Sequence, residues 1–196
     1  REKLQDILED AETGLDWLAR LAIQEIYTHW CAIDEKIDWC DKRINAHISD
    51  DMQAQSAKQL IGVGALTASA AIATVVDFKQ FKNGAQFGAW LGLTPKQSSS
   101  GGKTKLGRIT KRGDTYLRTL LIQGAKAAVM SAHKRQDPIS KWLFQLKEKS
   151  GWQKAAVAMA NKNARILWAV MTKGVNFDPA YVSVKPGGSI GVAIAV

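Results

Sequence analysis

The run Ser98-Ser99-Ser100-Gly101-Gly102 is followed at once by Lys103, Lys105, Arg108, Lys111 and Arg112, and no acidic residue comes before Asp114. A serine hydroxyl is a weak nucleophile. To attack a phosphodiester it must lose its proton, and the charge on the phosphate oxygens must be neutralised. The cations meet the second need, and arginine suits bidentate contact with phosphate. Gly101 and Gly102 would let a nucleic-acid backbone come close. The same residues also describe a mobile Ser-Gly loop whose lysines touch phosphate without chemistry. The residue types leave both readings open.

Other chemistries find less support. His29, His47 and His133 are scattered, and no Cys/His spacing suits zinc. The acids beyond residue 51 are Asp77, Asp114, Asp137, Glu148 and Asp178, too far apart in sequence to promise a site for two Mg²⁺ ions. "SSSGGKTK" lacks the spacing of a P-loop, and no strand is expected before it. A metal nuclease is therefore disfavoured unless its ligands come from elsewhere.

The charge balance of the whole chain agrees with a polyanion partner. The formal net charge is +9, but residues 1–51 carry 6 Lys/Arg against 13 Asp/Glu, whereas residues 52–196 carry 21 against 5. Such segregation points to a basic module that binds nucleic acid, attached to an acidic module with another task. The sequence shows no secretory signal and no apolar run of about 20 residues, so no membrane role is expected. It does not begin with Met, which suggests a processed product or the back portion of a longer protein. Cys31 and Cys40 would sit roughly 13 Å apart on one helix, beyond disulfide reach. A reducing interior is the simpler home.

The elements that must position the serine stretch read as helices. Leu4, Leu8, Ala11, Leu15, Leu18, Ala22, Ile26, Trp30, Ile33, Ile37, Cys40, Ile44 and Ile48 recur at three- or four-residue steps, the seam of a long amphipathic or coiled-coil helix broken only near Thr13-Gly14. Trp17, Trp30 and Trp39 favour a second subunit as the partner of that seam, and packing on the chain's own core is the alternative. Gly62 and Gly64 flank Val63 ahead of a small-residue helix, a pattern resembling a helix-hairpin-helix whose N–H groups can hold phosphate; a turn without a ligand would look the same. Phe78, Phe81, Phe87 and Trp90 read as core. Helices are expected over 114–132 with Asp114 as cap, from Asp137-Pro138 to about Lys149, and over 153–173 ending at Gly174. Leu117, Leu120, Leu121 and Ala128 should face inward, with Arg118 and Lys126 outward, while Gly124 on the inward stripe lets a neighbour pack close. Lys162 and Arg165 are a further candidate nucleic-acid contact or a solvated helix face. The fold class is all-α. Residues 1–58 form the acidic helices, 59–177 the basic helical domain, and 178–196 an irregular tail that resembles an appended or frame-altered end.

Read together, "IGVGALTASAAIA", "AWLGLTPKQSSSGGKTKLGRITKRGDTYLRTLLIQGAKAAV" and "NKNARILWAVM" resemble the C-terminal domain of the insertion-sequence one-ten/eleven-eleven transposases, which are bridge-RNA-guided serine recombinases. The resemblance covers roughly Leu60 to Gly174, and the acidic helices resemble that family's coiled coil. It implies a DNA transposase in which a serine becomes linked to a DNA phosphate. The nucleophile falls at Ser100 when matched forward from "GLTP" and at Ser99 when matched backward from "ITKRG", with Ser98 third. It implies DNA and guide RNA as partners, a homodimer or higher oligomer through the coiled coil, and a bacterial, cytoplasmic, nucleoid-associated location. Mg²⁺ would belong to an N-terminal RuvC-like domain that these residues do not include, so no cofactor is expected in this chain and little or no catalysis from it alone. Lys103, Lys105, Arg108, Lys111, Arg112 and Arg118 would hold phosphate, joined by Gly62 and Gly64. Two rivals remain. One is a noncatalytic dimeric module that binds nucleic acid, and the other is a helical interaction protein that does not.

Overall fold

A computed structural model describes residues 2–10, 14–100, 103–174 and 177–178. Gly101, Gly102 and the tail beyond Asp178 lie outside the described residues, as do the side chains of Ser99, Ser100 and Lys103. The chain divides into two units, Arg1–Ala46 and His47–Val196.

In the first unit α1 covers Glu2–Glu9, and α2 begins at Trp17 and runs to Ser49, its last residues belonging to the second unit. Asp16 caps α2 by accepting from the Ala19 N–H at 2.8 Å. Arg20 donates to the carbonyls of Leu8 and Asp10, tying the end of α1 to the start of α2. The apolar stripe is the main feature of α2. Leu18, Ile26, Trp30, Ile33 and Ile37 are all exposed, and Trp17 is 74% exposed. The periodicity thus forms a helix, as expected, and these residues of the seam stay exposed within the unit, whereas Leu8 and Ile48 are buried. Both cysteines are free.

The second unit continues with α3 (Met52–Lys58), α4 (Ala65–Thr74), a 3-10 turn at Phe78–Gln80, α5 (Gly84–Trp90), β1 (Pro95–Ser100), β2 (Lys103–Ile109), α6 (Thr115–Ser131), a 3-10 turn at Ala132–Lys134, α7 (Pro138–Ser150) and α8 (Trp152–Lys173). The helices begin where short polar side chains can satisfy orphan N–H groups. Asp51, Asn83, Asp114 and Asp137 each accept from the first turn of the helix that follows. Gly174 ends α8 in the left-handed conformation, φ 62°.

The core is built around α8, which packs on α3, α5, α6 and α7. Ala155, Ala156, Met159, Ala160, Ala164 and Leu167 are buried along it, and the small side chains let neighbouring helices approach closely. Phe78, Phe81 and Phe87 are buried as expected, with ring centroids 5.1–5.4 Å apart, while Trp90 stacks on Phe87 at 5.9 Å and keeps one side in solvent. Gly62, at φ 82°, and Gly124 meet backbone to backbone. A Cβ on Gly124 would lie 1.7 Å from the Gly62 carbonyl oxygen, so the close approach expected at Gly124 is real and its partner is Gly62.

Among the described residues the fold is all-α apart from one hairpin. β1 and β2 pair antiparallel through Gln97↔Leu106, Ser98↔Lys105, Ser99↔Thr104 and Ser100↔Lys103, with a bulge between Pro95 and Gln97. A loop was the alternative the residue types suggested, and ladder hydrogen bonding replaces it. No described helix is long and apolar enough to cross a membrane.

Candidate nucleic-acid interface and serine site

The hairpin carries the serine stretch away from the helical body. Among the described elements its strands neighbour only one another, and Lys96, Gln97, Ser98, Lys105, Leu106, Gly107 and Arg108 are exposed. A two-stranded hairpin gains little stability alone, so its base must be tied down. The Thr110 N–H donates to the Thr94 carbonyl at 2.9 Å, and the Lys111 N–H to the Gly92 carbonyl at 3.1 Å. Gly92 (φ 72°) and Gly113 (φ 90°) let the two loops touch; a Cβ on Gly113 would fall 1.7 Å from the Trp90 carbonyl oxygen. Lys111 itself sits at φ 56°, the left-handed region that a lysine enters only under constraint. This loop displays Lys111 and Arg112, both exposed, beside the base of the hairpin.

Arg118 holds the loop in place. It is only 7% exposed, and its Nη1 donates to the Leu91 carbonyl at 3.1 Å and, at 3.4 Å, to the carbonyls of Arg112, Gly113 and Asp114. Nη2 donates to the Thr115 hydroxyl at 3.1 Å. The expectation that Arg118 points outward as a phosphate ligand is therefore corrected. Its donors are turned to converging carbonyls, and what it positions is the cationic loop. The first turn of α6 is closed by the Asp114 carboxylate, which accepts from the Leu117 N–H at 2.6 Å.

The remaining predicted residues fall elsewhere. Lys162 is corrected in the same way: it is buried, with Nζ 5.1 Å from the centre of the Trp142 ring. Burial pushes its pKa down, and the neighbouring charge of Arg165 adds to this. Arg165 is half-buried. Gly62 is occupied by its contact with Gly124. Gly64 is exposed and precedes α4 with no side-chain cap, leaving the first N–H groups of that helix to solvent or a ligand. The hairpin thus gathers Ser98, Ser99, Ser100, Lys103, Lys105 and Arg108, with Lys111 and Arg112 at its base; the other candidates are not part of that group. Lys96, on β1, is an exposed cation that the sequence reading left out. Among the described residues no group of three or more His, Cys, Asp or Glu could hold a metal ion, so the residues present do not fit a magnesium centre.

Comparison with known proteins gives this interface a context. Residues 54–139, which include the whole hairpin and loop, match the family described as "Transposase IS116/IS110/IS902 family". The chain is 43% identical over 157 residues to a Pseudomonas aeruginosa protein named "Probable family 20 transposase", covering 80% of this chain and 46% of that one. It is 39% identical over 172 residues to the transposase for insertion sequence element IS1111A of Coxiella burnetii, covering 88% and 47%. The transposase for insertion sequence element IS1328 of Yersinia enterocolitica is 34% identical over 162 residues, covering 83% and 48%. The chain spans about half the length of these curated relatives. Its serine- and lysine-bearing hairpin, and the Arg118-anchored loop beneath it, therefore lie within a domain of the IS116/IS110/IS902 transposase family.

Proposed function

We propose that this chain is the DNA-handling portion of a transposase and that a serine of the hairpin attacks a DNA phosphate. One observation carries the reading. A hairpin whose described side chains at 95–98 and 105–108 are all exposed holds three serines on one strand and cations on the other, with a clamped cationic loop at its base. Solvated strands tied down at their base gain further stability from a ligand, and the charges along residues 95–112 are all positive. Ser100 shares its rung with Lys103, and Ser98 with Lys105, whereas Ser99 shares its rung with Thr104. We assign the nucleophile to Ser100, with Ser99 as the alternative.

In the step, the seryl oxygen forms a bond to phosphorus, and the bond from phosphorus to one sugar oxygen breaks. The serine proton goes to a base, and the leaving oxygen takes a proton to become a strand hydroxyl. Lys105, Arg108, Lys111 and Arg112 neutralise the non-bridging oxygens. The phosphoserine keeps the bond energy, so a hydroxyl of a second DNA end displaces it and rejoins the strands. No base stands among the residues gathered at the hairpin, so this chain alone is expected to bind DNA and not cleave it. In the full-length protein a guide RNA selects the site, and subunits pair through the stripe of α2.

The test uses full-length protein on a DNA target. A trapped, digested complex should yield a phosphoserine adduct in the 98–100 triplet, lost in Ser100→Ala. Loss in Ser99→Ala alone moves the nucleophile by one residue. If both variants exchange strands while Lys105→Glu/Arg108→Glu abolishes binding, the hairpin only grips DNA.

A further inference from the structure

The far end of α6 forms a second concave site that the hairpin reading leaves unused. A cleft of about 290 Å³ opens between the 132–136 segment and α7, lined by His133, Arg135, Gln136, Lys141, Phe144 and Gln145. Lys141, Phe144 and Gln145 share one face of α7 by their three- and four-residue spacing. We propose that this cleft takes an unpaired nucleotide of a single-stranded nucleic acid, its base against Phe144 and its phosphate against Arg135 and Lys141.

The chemistry on the cleft wall favours that ligand. Phe144 is 42% exposed although it sits on a helix that buries Ile139 and Leu143, so an aromatic face is offered to the cleft instead of the core. Stacking on such a face tolerates any base. Gln136 and Gln145 each bring both a donor and an acceptor for base edges. None of the residues lining the cleft is acidic, and neighbouring Asp137 is committed elsewhere: it accepts from the Ser140 N–H at 2.9 Å, the Ser140 hydroxyl at 2.7 Å and Arg135 Nε at 3.1 Å. That contact orients Arg135 and leaves its outer nitrogens for a phosphate. His133 is fixed through Nδ1 at 3.0 Å from the Met130 carbonyl oxygen. A protein segment would find three basic side chains around one aromatic, a poor match for an apolar anchor. A duplex keeps its bases stacked and cannot enter a cleft at the small end of the ligand-pocket range, about 300 Å³. The 17 residues of α6 separate the cleft from the hairpin loop by about 25 Å, so one helix holds a duplex-gripping end and a strand-reading end at fixed distance.

This inference rests on the chain working on nucleic acid, and the experiment separates the two. Fluorescence anisotropy of the full chain is measured at one salt concentration with a labelled 20-nucleotide single strand and with its duplex. Phe144→Ala and Phe144→Leu, the second keeping apolar bulk against misfolding, should each weaken single-strand binding by about 10-fold, as the loss of one stacked base does. Duplex binding should stay within twofold. Unchanged single-strand binding in both variants, or equal losses on strand and duplex, overturns the cleft. If Lys105→Glu/Arg108→Glu also leaves both affinities untouched, the nucleic-acid reading falls with it.

Discussion

Replacing Arg118 by Met separates an anchor from a ligand. Met keeps the apolar stem and removes every donor. The guanidinium makes two contacts at 3.1 Å, to Leu91 and Thr115, and three more at 3.4 Å from a nitrogen with only two hydrogens. Two effective charge-assisted bonds at about 1.5–2 kcal/mol each give a cost of about 3 kcal/mol. For a unit of this size, each kcal/mol moves the melting temperature by about 2–4 °C, so Arg118→Met should melt about 6–12 °C lower. Freed from its clasp, the loop must order Lys111 and Arg112 at each binding event, so DNA affinity should fall. The number of phosphates contacted should not change, and neither should the slope of log affinity against log salt. Arg118→Lys, which offers one point charge for a planar fork, should fall between. The assay pairs thermal unfolding with a salt titration of duplex binding. A variant with wild-type melting and a slope shallower by about 0.9 would mean that the guanidinium touches DNA, and the anchoring account would be refuted.

Three further outcomes can be checked. Burial would raise the Asp137 carboxyl, but bonds from Ser140 and Arg135 outweigh it and hold the pKa below the usual value. A depressed carboxylate stabilises the fold above its unfolded pKa of about 3.9, so that contribution should be lost as pH falls through the folded value; Asp137→Ala should remove this acid-limb dependence and cost about 1 kcal/mol at pH 7 by urea unfolding. Gly124→Ala puts a methyl against the Gly62 carbonyl and should destabilise by about 2 kcal/mol or more in the same assay; wild-type stability would show that the two backbones can part. Sedimentation velocity should find the chain associated, and Ile26→Glu/Ile33→Glu monomeric; a wild-type monomer at high concentration removes the α2 stripe as an interface.

Helix ends were the most legible part of the sequence, because each is written in one or two residues. Asp114, Asp137-Pro138 and Gly174 placed α6, the start of α7 and the end of α8 to within a residue, since caps are local chemistry. The hairpin was not legible in that way. Serine and lysine have little strand preference, and neither face is buried, so the alternation that marks a strand is missing. The surviving signal was Gly101-Gly102 between two short runs, a two-residue hairpin spacing. Arg118 was misplaced because charge argued outward, whereas helical spacing put it with Leu117, Leu121 and Ala125 on the buried face. Converging carbonyls decided the matter, and those come from loops distant in sequence. Lys162 follows the same pattern beside Trp142.

Lys111 occupies a bend where glycine would rest more easily, relieved of about 1 kcal/mol. Attempts to toughen this protein by relaxing awkward backbone would choose that position early and would obtain a hardier molecule. The same change would erase one positive charge from the rim proposed to grip DNA, so at this residue durability and grip pull in opposite directions.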